Sequence, residues 1–387
     1  MALPKVNRIQ GRPPFECIAL LLQGGGALGA YQAGVYEALA EHGLHPDWVA
    51  GISIGSINAA LIAGNPQRGR VEKLRSFWEG ITARAPWDWV ANLGLPTAES
   101  IETRKFTNQM SAASALFGGV AGFFSPRIPS PWQQPTGSAK ATSYYDTGNL
   151  QTTLERLVDF DLINAGGTRF SVGAVNVRSG NFVYFDTTTH TIRPEHILAS
   201  AALPPGFAPV EIEGEHYWDG GLVSNTPLQW VLQCGPRQDT LAFQVDLWNA
   251  RGALPQNMPE VATRQKEILY SSRTRDNTTQ FMASQTIRHA VESLLKKLPE
   301  EIRNCAEAEI LGSFGDQKVY SLVQLIYRAQ QYEGDSKDYE FSRRSMEEHW
   351  RAGYKDTVRT LRHPEALGRP ANSEGISTFD IAEHGGG

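Results

Sequence analysis

Short unbroken apolar runs alternate with helical spacings through the first part of the chain. Cys17–Leu22 (CIALLL) is a run of six ending at a glycine cluster, the pattern of a strand buried on both faces. From about residue 30 to 41 the spacing becomes helical, with Tyr31, Val35 and Leu39 on one side and Gly43 as the stop. Residues 48–52 form a second short apolar run, and 56–62 read as a second helix ended by Gly64-Asn65-Pro66. Strand, helix, strand, helix at this spacing predicts a βαβ unit and a parallel sheet.

Between about residues 83 and 145 the regularity breaks. Residues 115–124 are apolar and glycine-rich, and Pro126, Pro129, Pro131, Trp132 and Pro135 follow. The stretch is too apolar for a solvated loop and too broken for a long helix. Two readings stand side by side: a buried irregular excursion, or a flap near the site that meets lipid or lines an acyl pocket. Regular patterns resume with an amphipathic helix at 149–158, strands at 169–176 and 181–186, a short helix at 197–202, and strands at 208–213 and 241–247. Beyond residue 259 the texture is long, charged and helical, with one strand at 318–326 and a last helix at 342–361. Met346, Trp350, Tyr354 and Val358 on that helix predict a core-facing stripe. The expected organisation is a catalytic domain over 15–250 with 83–145 as its insertion, a mainly helical extension over 259–361, and a disordered tail over 364–387.

Composition narrows the function. With 387 residues, 41% of them hydrophobic, the chain can bury a sizeable core. A net charge of -5 gives no reason to expect a nucleic-acid partner. Cys17, Cys234 and Cys305 are widely spaced and form no CxxC pair, as free thiols in a reducing compartment would. Lys5, Arg8 and Arg12 precede the first apolar run, but that run is shorter than the roughly 7–15 residues of a signal sequence. No stretch approaches the ~18 apolar residues of a membrane span. The expectation is a cytoplasmic protein that touches membranes, if at all, from outside.

Three elements carry chemistry. Gly51-Ile52-Ser53-Ile54-Gly55 is a G-x-S-x-G pattern between a predicted strand and a predicted helix, the setting in which a sharp turn lifts a serine hydroxyl clear of the backbone. Gly24, Gly26 and Gly29 satisfy G-x-G-x-x-G after the first strand, and Asp47 lies at about the spacing of a ribose ligand, so a dinucleotide fingerprint competes here. However, Asp47 precedes the second strand rather than ending it. The alternative use of the glycine loop is an oxyanion hole, whose bare N–H groups at a helix start donate to a tetrahedral intermediate. A nucleophilic serine also needs a base. His190, His196, His349, His363 and His384 are poorly placed along the chain, whereas Asp219 in Tyr217-Trp218-Asp219-Gly220-Gly221 follows a strand and precedes a tight turn.

G-G-G-x-x-G after strand one, G-x-S-x-G after strand two and a distal D-G-G-x-x-x-N-x-P together resemble the patatin-like phospholipases. Residues 199–207 (ASAALPPGF) also resemble that family's segment before its catalytic Asp. The resemblance covers about residues 15–250 and implies a three-layer α/β fold with a central, mainly parallel sheet. It implies a dyad in which Ser53 attacks an ester carbonyl and Asp219 serves as general base. Gly24, Gly25 and Gly26 would supply the oxyanion hole, supported by Gly29, Gly51, Gly55, Gly220 and Gly221, with no cofactor and no metal. The expected partner is a lipid or other ester, with peripheral membrane contact and an oligomeric state left open.

One departure matters: Ala27-Leu28 stand where many members carry an arginine, which weakens the case for phospholipid against neutral ester. The version of the loop seen here, with a helical extension, resembles a bacterial subgroup for which hydroxyalkanoate oligoesters are a second substrate class. A soluble short-chain esterase is therefore the first alternative, and a dinucleotide-binding protein the alternative of another class. Residues 259–361 could also serve as an oligomerisation module. Arg273, Arg275, Arg343 and Arg344 are candidate head-group ligands, although arginines on long helices are usually only solvated.

Overall fold

A computed structural model describes residues 11–82, 100–372 and 374–381, without the side chains of 272–277. Strand β1, Cys17–Leu22, is buried along its whole length, and the period of two divides its side chains between two cores. Ile18, Leu20 and Leu22 join the larger cluster on one face. Cys17, Ala19 and Leu21 join a smaller cluster on the other. This is why an unbroken apolar run, and not an alternating one, marks the central strand.

β1 pairs in parallel with β2 (Trp48–Gly51), with Leu22 opposite Gly51. The first two helices follow as predicted, α1 being Ala30–Glu41 and α2 Ile54–Ala63, and a third not expected from the sequence, α3, is Arg70–Ile81. A short ladder outside the main sheet joins β3 (Ser125–Pro126) to β4 (Tyr145–Asp146). The main sheet continues with β5 (Arg169–Asn176), β6 (Phe182–Asp186), β7 (Val210–Ile212), β8 (Glu215–Asp219), β9 (Thr240–Asp246), β10 (Tyr320–Ile326) and β11 (Ile376–Asp380). Its order is β11-β10-β9-β1-β2-β5-β8-β7, with β6 also on β5. The strands from β11 to β5 run parallel, while β6 and β8 run antiparallel to β5. The architecture is a mainly parallel sheet between helical layers.

The C-terminal part is woven into that sheet. β10 pairs with β9, and β11 covers β10. Residues from 364 onward therefore differ from the expected disordered tail: Ile376–Asp380 is an edge strand whose Ile376 and Phe379 are buried. Residues 382–387 lie outside the described residues. Helix Arg343–Thr360 crosses α1 closely, since a Cβ on Gly34 would stand 1.9 Å from the Trp350 carbonyl oxygen and one on Gly353 2.0 Å from that of Tyr31. Its buried face runs through Met346, His349, Trp350, Gly353 and Thr357, with Tyr354 and Val358 only half-buried. A stripe written at i, i+4, i+8 turns about 40° per step on a helix of 3.6 residues per turn, so it leaves the core by its far end.

The irregular segment is also more regular than its composition implies. Ile101–Gly118 is an 18-residue helix, capped by Ser100 accepting from the Thr103 N–H and ended at Gly119 with φ 78°. The apolar stretch after it divides. Leu116 and Phe117 are exposed, whereas Val120, Phe123 and Phe124 are buried. Phe124 packs on Tyr145 and Phe207 with ring centroids 4.8 and 5.5 Å away, and Phe123 packs on Phe341 at 5.8 Å. Residues 83–99 of the expected flap lie outside the described residues.

Candidate active site

β2 ends at Gly51 and α2 begins at Ile54, so Ser53 makes the turn at φ 54° and ψ -127°. Backbone of this kind costs a residue other than glycine about 1–3 kcal/mol and persists only where its surroundings fix it. Here the Ser53 N–H donates to both the carbonyl and the hydroxyl oxygen of Ser200, each at 3.1 Å. The Ser56 hydroxyl donates to the Ser53 carbonyl at 2.6 Å. The flanking glycines are steric necessities: a Cβ on Gly51 would stand 2.2 Å from the Gly55 carbonyl oxygen, and one on Gly55 2.2 Å from that of Leu22.

The glycine loop between β1 and α1 lies against this elbow, since a Cβ on Gly24 would come within 3.0 Å of the Ser53 Cβ. Polar side chains from distant parts of the chain hold it. The Gly24 carbonyl accepts from Asn225 Nδ2 at 3.0 Å and from Trp248 Nε1 at 2.9 Å. The buried Gln23 amide accepts from the Leu247 and Trp248 N–H groups at 2.7 and 3.0 Å and donates to Thr226 Oγ1 at 3.0 Å. Gly29 packs under the elbow, its carbonyl accepting from Asn58 Nδ2 at 2.9 Å.

One of the three expected oxyanion donors is already engaged: the Gly24 N–H donates to the Asn225 carbonyl at 3.2 Å. The N–H groups of Gly25, Gly26 and Ile54 have no acceptor among the described residues. Ile54 was missed in the sequence, although its position as the first residue of α2, directly after the nucleophile, is the signal that finds it.

Asp219 closes β8 opposite Ala174 of β5, and the 3-10 turn Gly220–Leu222 takes the chain away at once. Its Oδ1 accepts from the Gly221 N–H at 2.7 Å, and its own N–H is held by the Ala202 carbonyl at 3.0 Å. A Cβ on Gly220 would stand 2.7 Å from the Gly173 carbonyl oxygen, which fixes glycine there. The carboxyl is 1% exposed. Burial pushes its pKa up to about 7, although the Ser53 hydroxyl nearby and the hydrogen bond from the Gly221 N–H oppose that rise. The arrangement is a serine on a strained turn near a buried carboxyl of near-neutral pKa, with three N–H donors of the adjoining turns unused among the described residues.

The other candidates lie elsewhere. His190 and His196 pack on Phe185, and His349 bonds Glu333. His363 bonds Glu365. His384 lies outside the described residues, as do the Arg273 and Arg275 side chains. Arg343 donates to Thr82 Oγ1 at 2.9 Å, and Arg344 pairs with Glu348 at 3.3 Å. Asp47 precedes β2 at the opposite end from Ser53, where it accepts from the Ile18 N–H at 2.7 Å and pairs with Arg12. A ribose ligand there would be a strand's length from the glycine loop, so the dinucleotide reading has no support.

A family model described as patatin-like phospholipase matches residues 20–231. The chain belongs to the patatin-like phospholipase family. A second model, described as patatin phospholipase, matches residues 268–373, so the match extends into the C-terminal part. Among patatin-like relatives, Lysophospholipase NTE1 of Eremothecium gossypii is 42% identical over 244 residues, 62% of this chain and 12% of that protein. Triacylglycerol lipase SDP1L of Arabidopsis thaliana is 44% identical over 69 residues, 18% of this chain and 8% of that one. The chain thus spans only 6–12% of the length of these curated relatives and of Lysophospholipase nte1 of Aspergillus terreus. The crystal structure of VipD from Legionella pneumophila aligns over 95% of this chain and 72% of its own, at 16% identity and a TM-score of 0.38.

Proposed function

We propose that this member of the patatin-like phospholipase family is a serine acyl-ester hydrolase in which Ser53 is the nucleophile and Asp219 the general base. The observation that carries the reading is the buried carboxyl of Asp219, with a pKa of about 7, in electrostatic reach of the Ser53 hydroxyl on its strained turn. Asp219 takes the Ser53 proton as Oγ attacks the ester carbonyl. The N–H groups of Gly25, Gly26 and Ile54 receive the oxyanion, each such donor contributing roughly 3–4 kcal/mol on the precedent of known oxyanion holes. The intermediate collapses to an acyl-serine, and the leaving alkoxide takes the proton from Asp219. Water then adds, with Asp219 again accepting a proton and returning it to Ser53 Oγ as the acid departs. A base with a pKa near the working pH suits both transfers.

The substrate we favour is a lipid ester met at a bilayer surface. Phe106, Met110 and Phe117 on helix Ile101–Gly118 are exposed, as are Leu254, Met258, Val261 and Leu269 around the start of helix Met258–Leu295. Exposed apolar residues in such number mark a surface that meets an apolar partner. The Ser53→Ala and Asp219→Asn variants should each lose p-nitrophenyl ester hydrolysis while remaining folded; full activity in either ends the dyad reading. Replacing Phe106, Phe117, Leu254 and Met258 by serine should reduce vesicle sedimentation and lipid hydrolysis while soluble ester turnover stays within about twofold. Unchanged vesicle binding and lipid hydrolysis would favour the soluble-esterase alternative.

A further inference from the structure

The C-terminal part of the chain grips the glycine loop directly. The Ala27 N–H donates to the Asp338 carbonyl at 2.8 Å. Gly26, at φ +56°, is pressed against the same oxygen, which a Cβ there would approach to 2.0 Å. The turn that carries Asp338 is itself pinned from helix Met258–Leu295. Lys266 Nζ donates to both Asp338 carboxylate oxygens, at 2.9 and 3.2 Å, and to the Asp335 carbonyl at 2.7 Å. Lys337, almost wholly buried, bonds Glu267 at 2.8 Å. One helical turn further on, Tyr270 lies on the Trp248 ring at 5.1 Å, and its carbonyl accepts from Gln23 Nε2 at 3.3 Å. Trp248 is the residue that donates to the Gly24 carbonyl. The glycine loop is thus held on one side by residues 225–248 and on the other by residues 266–338.

We infer that Lys266 and Asp338 are positioning residues for the proposed acyl transfer. They seat the 335–338 turn on Ala27, and this fixes the direction in which the Gly25 and Gly26 N–H groups point. With the Ala27 N–H committed to Asp338, the peptide units just before it have no freedom to swing their donors away from Ser53. An oxyanion hole works through donors that need no reorganisation during the reaction, so a small loosening of this loop lowers turnover more than substrate binding. The C-terminal region is, on this account, a working part of the site. The inference rests on the acyl-transfer reading given above.

The test uses the full-length chain carrying Lys266→Met, Asp338→Asn or Lys266→Arg, with Ser53→Ala alongside. Three quantities are measured: kcat and KM for p-nitrophenyl butyrate, the Ki of an alkyl trifluoromethyl ketone, and the Ki of the matching ether. The ketone adds a serine oxygen and forms an oxyanion; the ether cannot. Lys266→Met and Asp338→Asn should lower kcat by about 10–100-fold, on the scale of a weakened oxyanion donor, with KM within twofold. The ketone Ki should rise by the same factor, the ether Ki should not move, and Lys266→Arg should recover at least a third of the activity. Unchanged kcat in both variants, or equal losses for ketone and ether, would overturn the inference. Should Lys266→Met fail to fold, Asp338→Asn keeps the backbone carbonyl and the side-chain size, and amide exchange over residues 24–28 gives a second reading: faster exchange supports the clamp and unchanged exchange refutes it. Loss of activity in Ser53→Ala with full activity in both clamp variants defeats only this inference; activity in Ser53→Ala defeats the acyl-transfer reading itself.

Discussion

Replacing Asp219 by asparagine should abolish activity and at the same time stabilise the fold. The carboxyl is 1% exposed, and burial lifts its pKa from 3.8 to about 7. Linkage then fixes the sign. Between pH 4 and 7 the folded protein holds a proton that the unfolded chain has released, so stability falls as pH rises through that window. Above pH 7 both states are ionised and the full cost is present. At 1.36 kcal/mol per pKa unit that cost is about 4 kcal/mol. Asparagine avoids it and keeps an acceptor for the Gly221 N–H, though its new amide donors need partners; a net gain of roughly 2–4 kcal/mol at pH 8 is expected. With a melting entropy of about 2.1 cal/mol/K per residue, this corresponds to a melting temperature roughly 3–5 °C higher. Asp246 is likewise buried with a pKa of about 7, but it is common to both proteins and cancels in the difference. The assay is thermal unfolding of wild type and Asp219→Asn from pH 4 to 8.5, with ester hydrolysis on the same samples. The gap between them should open as pH rises and close towards pH 4. A gap that does not depend on pH would refute the desolvated carboxyl, and retained hydrolysis would refute its role as base.

Other substitutions test the scaffold. Gly55→Ala would bring a Cβ to 2.2 Å from the Leu22 carbonyl oxygen, and should cost about 3 kcal/mol or more with loss of activity, read by chemical denaturation and ester turnover. Trp248→Phe removes the 2.9 Å bond to the Gly24 carbonyl but leaves Asn225 in place; a stability loss of about 1 kcal/mol and a roughly tenfold fall in kcat are expected in the same two assays. Gly34→Ala should force α1 from helix Arg343–Thr360 and lower the melting temperature of the whole molecule in one transition, because the C-terminal part shares its sheet with the rest. Two separate transitions in that variant would contradict the shared core.

The elbow and the glycine loop were legible because local backbone geometry enforces their glycines, and Asp219 because the Gly220-Gly221 turn follows it directly. Gly51 and Gly55 face backbone oxygens at 2.2 Å, and a sequence shows such glycines directly. Which N–H groups remain free was not legible, because Gly24 loses its donor to Asn225, some 200 residues away. The last strand was hard to see for a related reason, although β10 was expected at 318–326. Ile376–Asp380 is stabilised by pairing with β10, while its flanks are polar and glycine-rich, so composition alone read as a tail. Helix Ile101–Gly118 was obscured by the apolar, proline-rich stretch after it, although Ser100 and Gly119 mark its two ends in the usual way. The stripe on the last helix was right at Met346 and Trp350 and drifted off the buried face at Tyr354 and Val358, because a four-residue step overshoots 3.6 residues per turn.

The most direct measurement of the central claim is the rate and site of labelling by a fluorophosphonate across pH. The adduct should map to Ser53 by peptide mass spectrometry, and the rate should rise with pH through about 7 as Asp219 ionises. An adduct on another residue, or labelling of Ser53 that is indifferent to pH and to Asp219→Asn, would contradict the account.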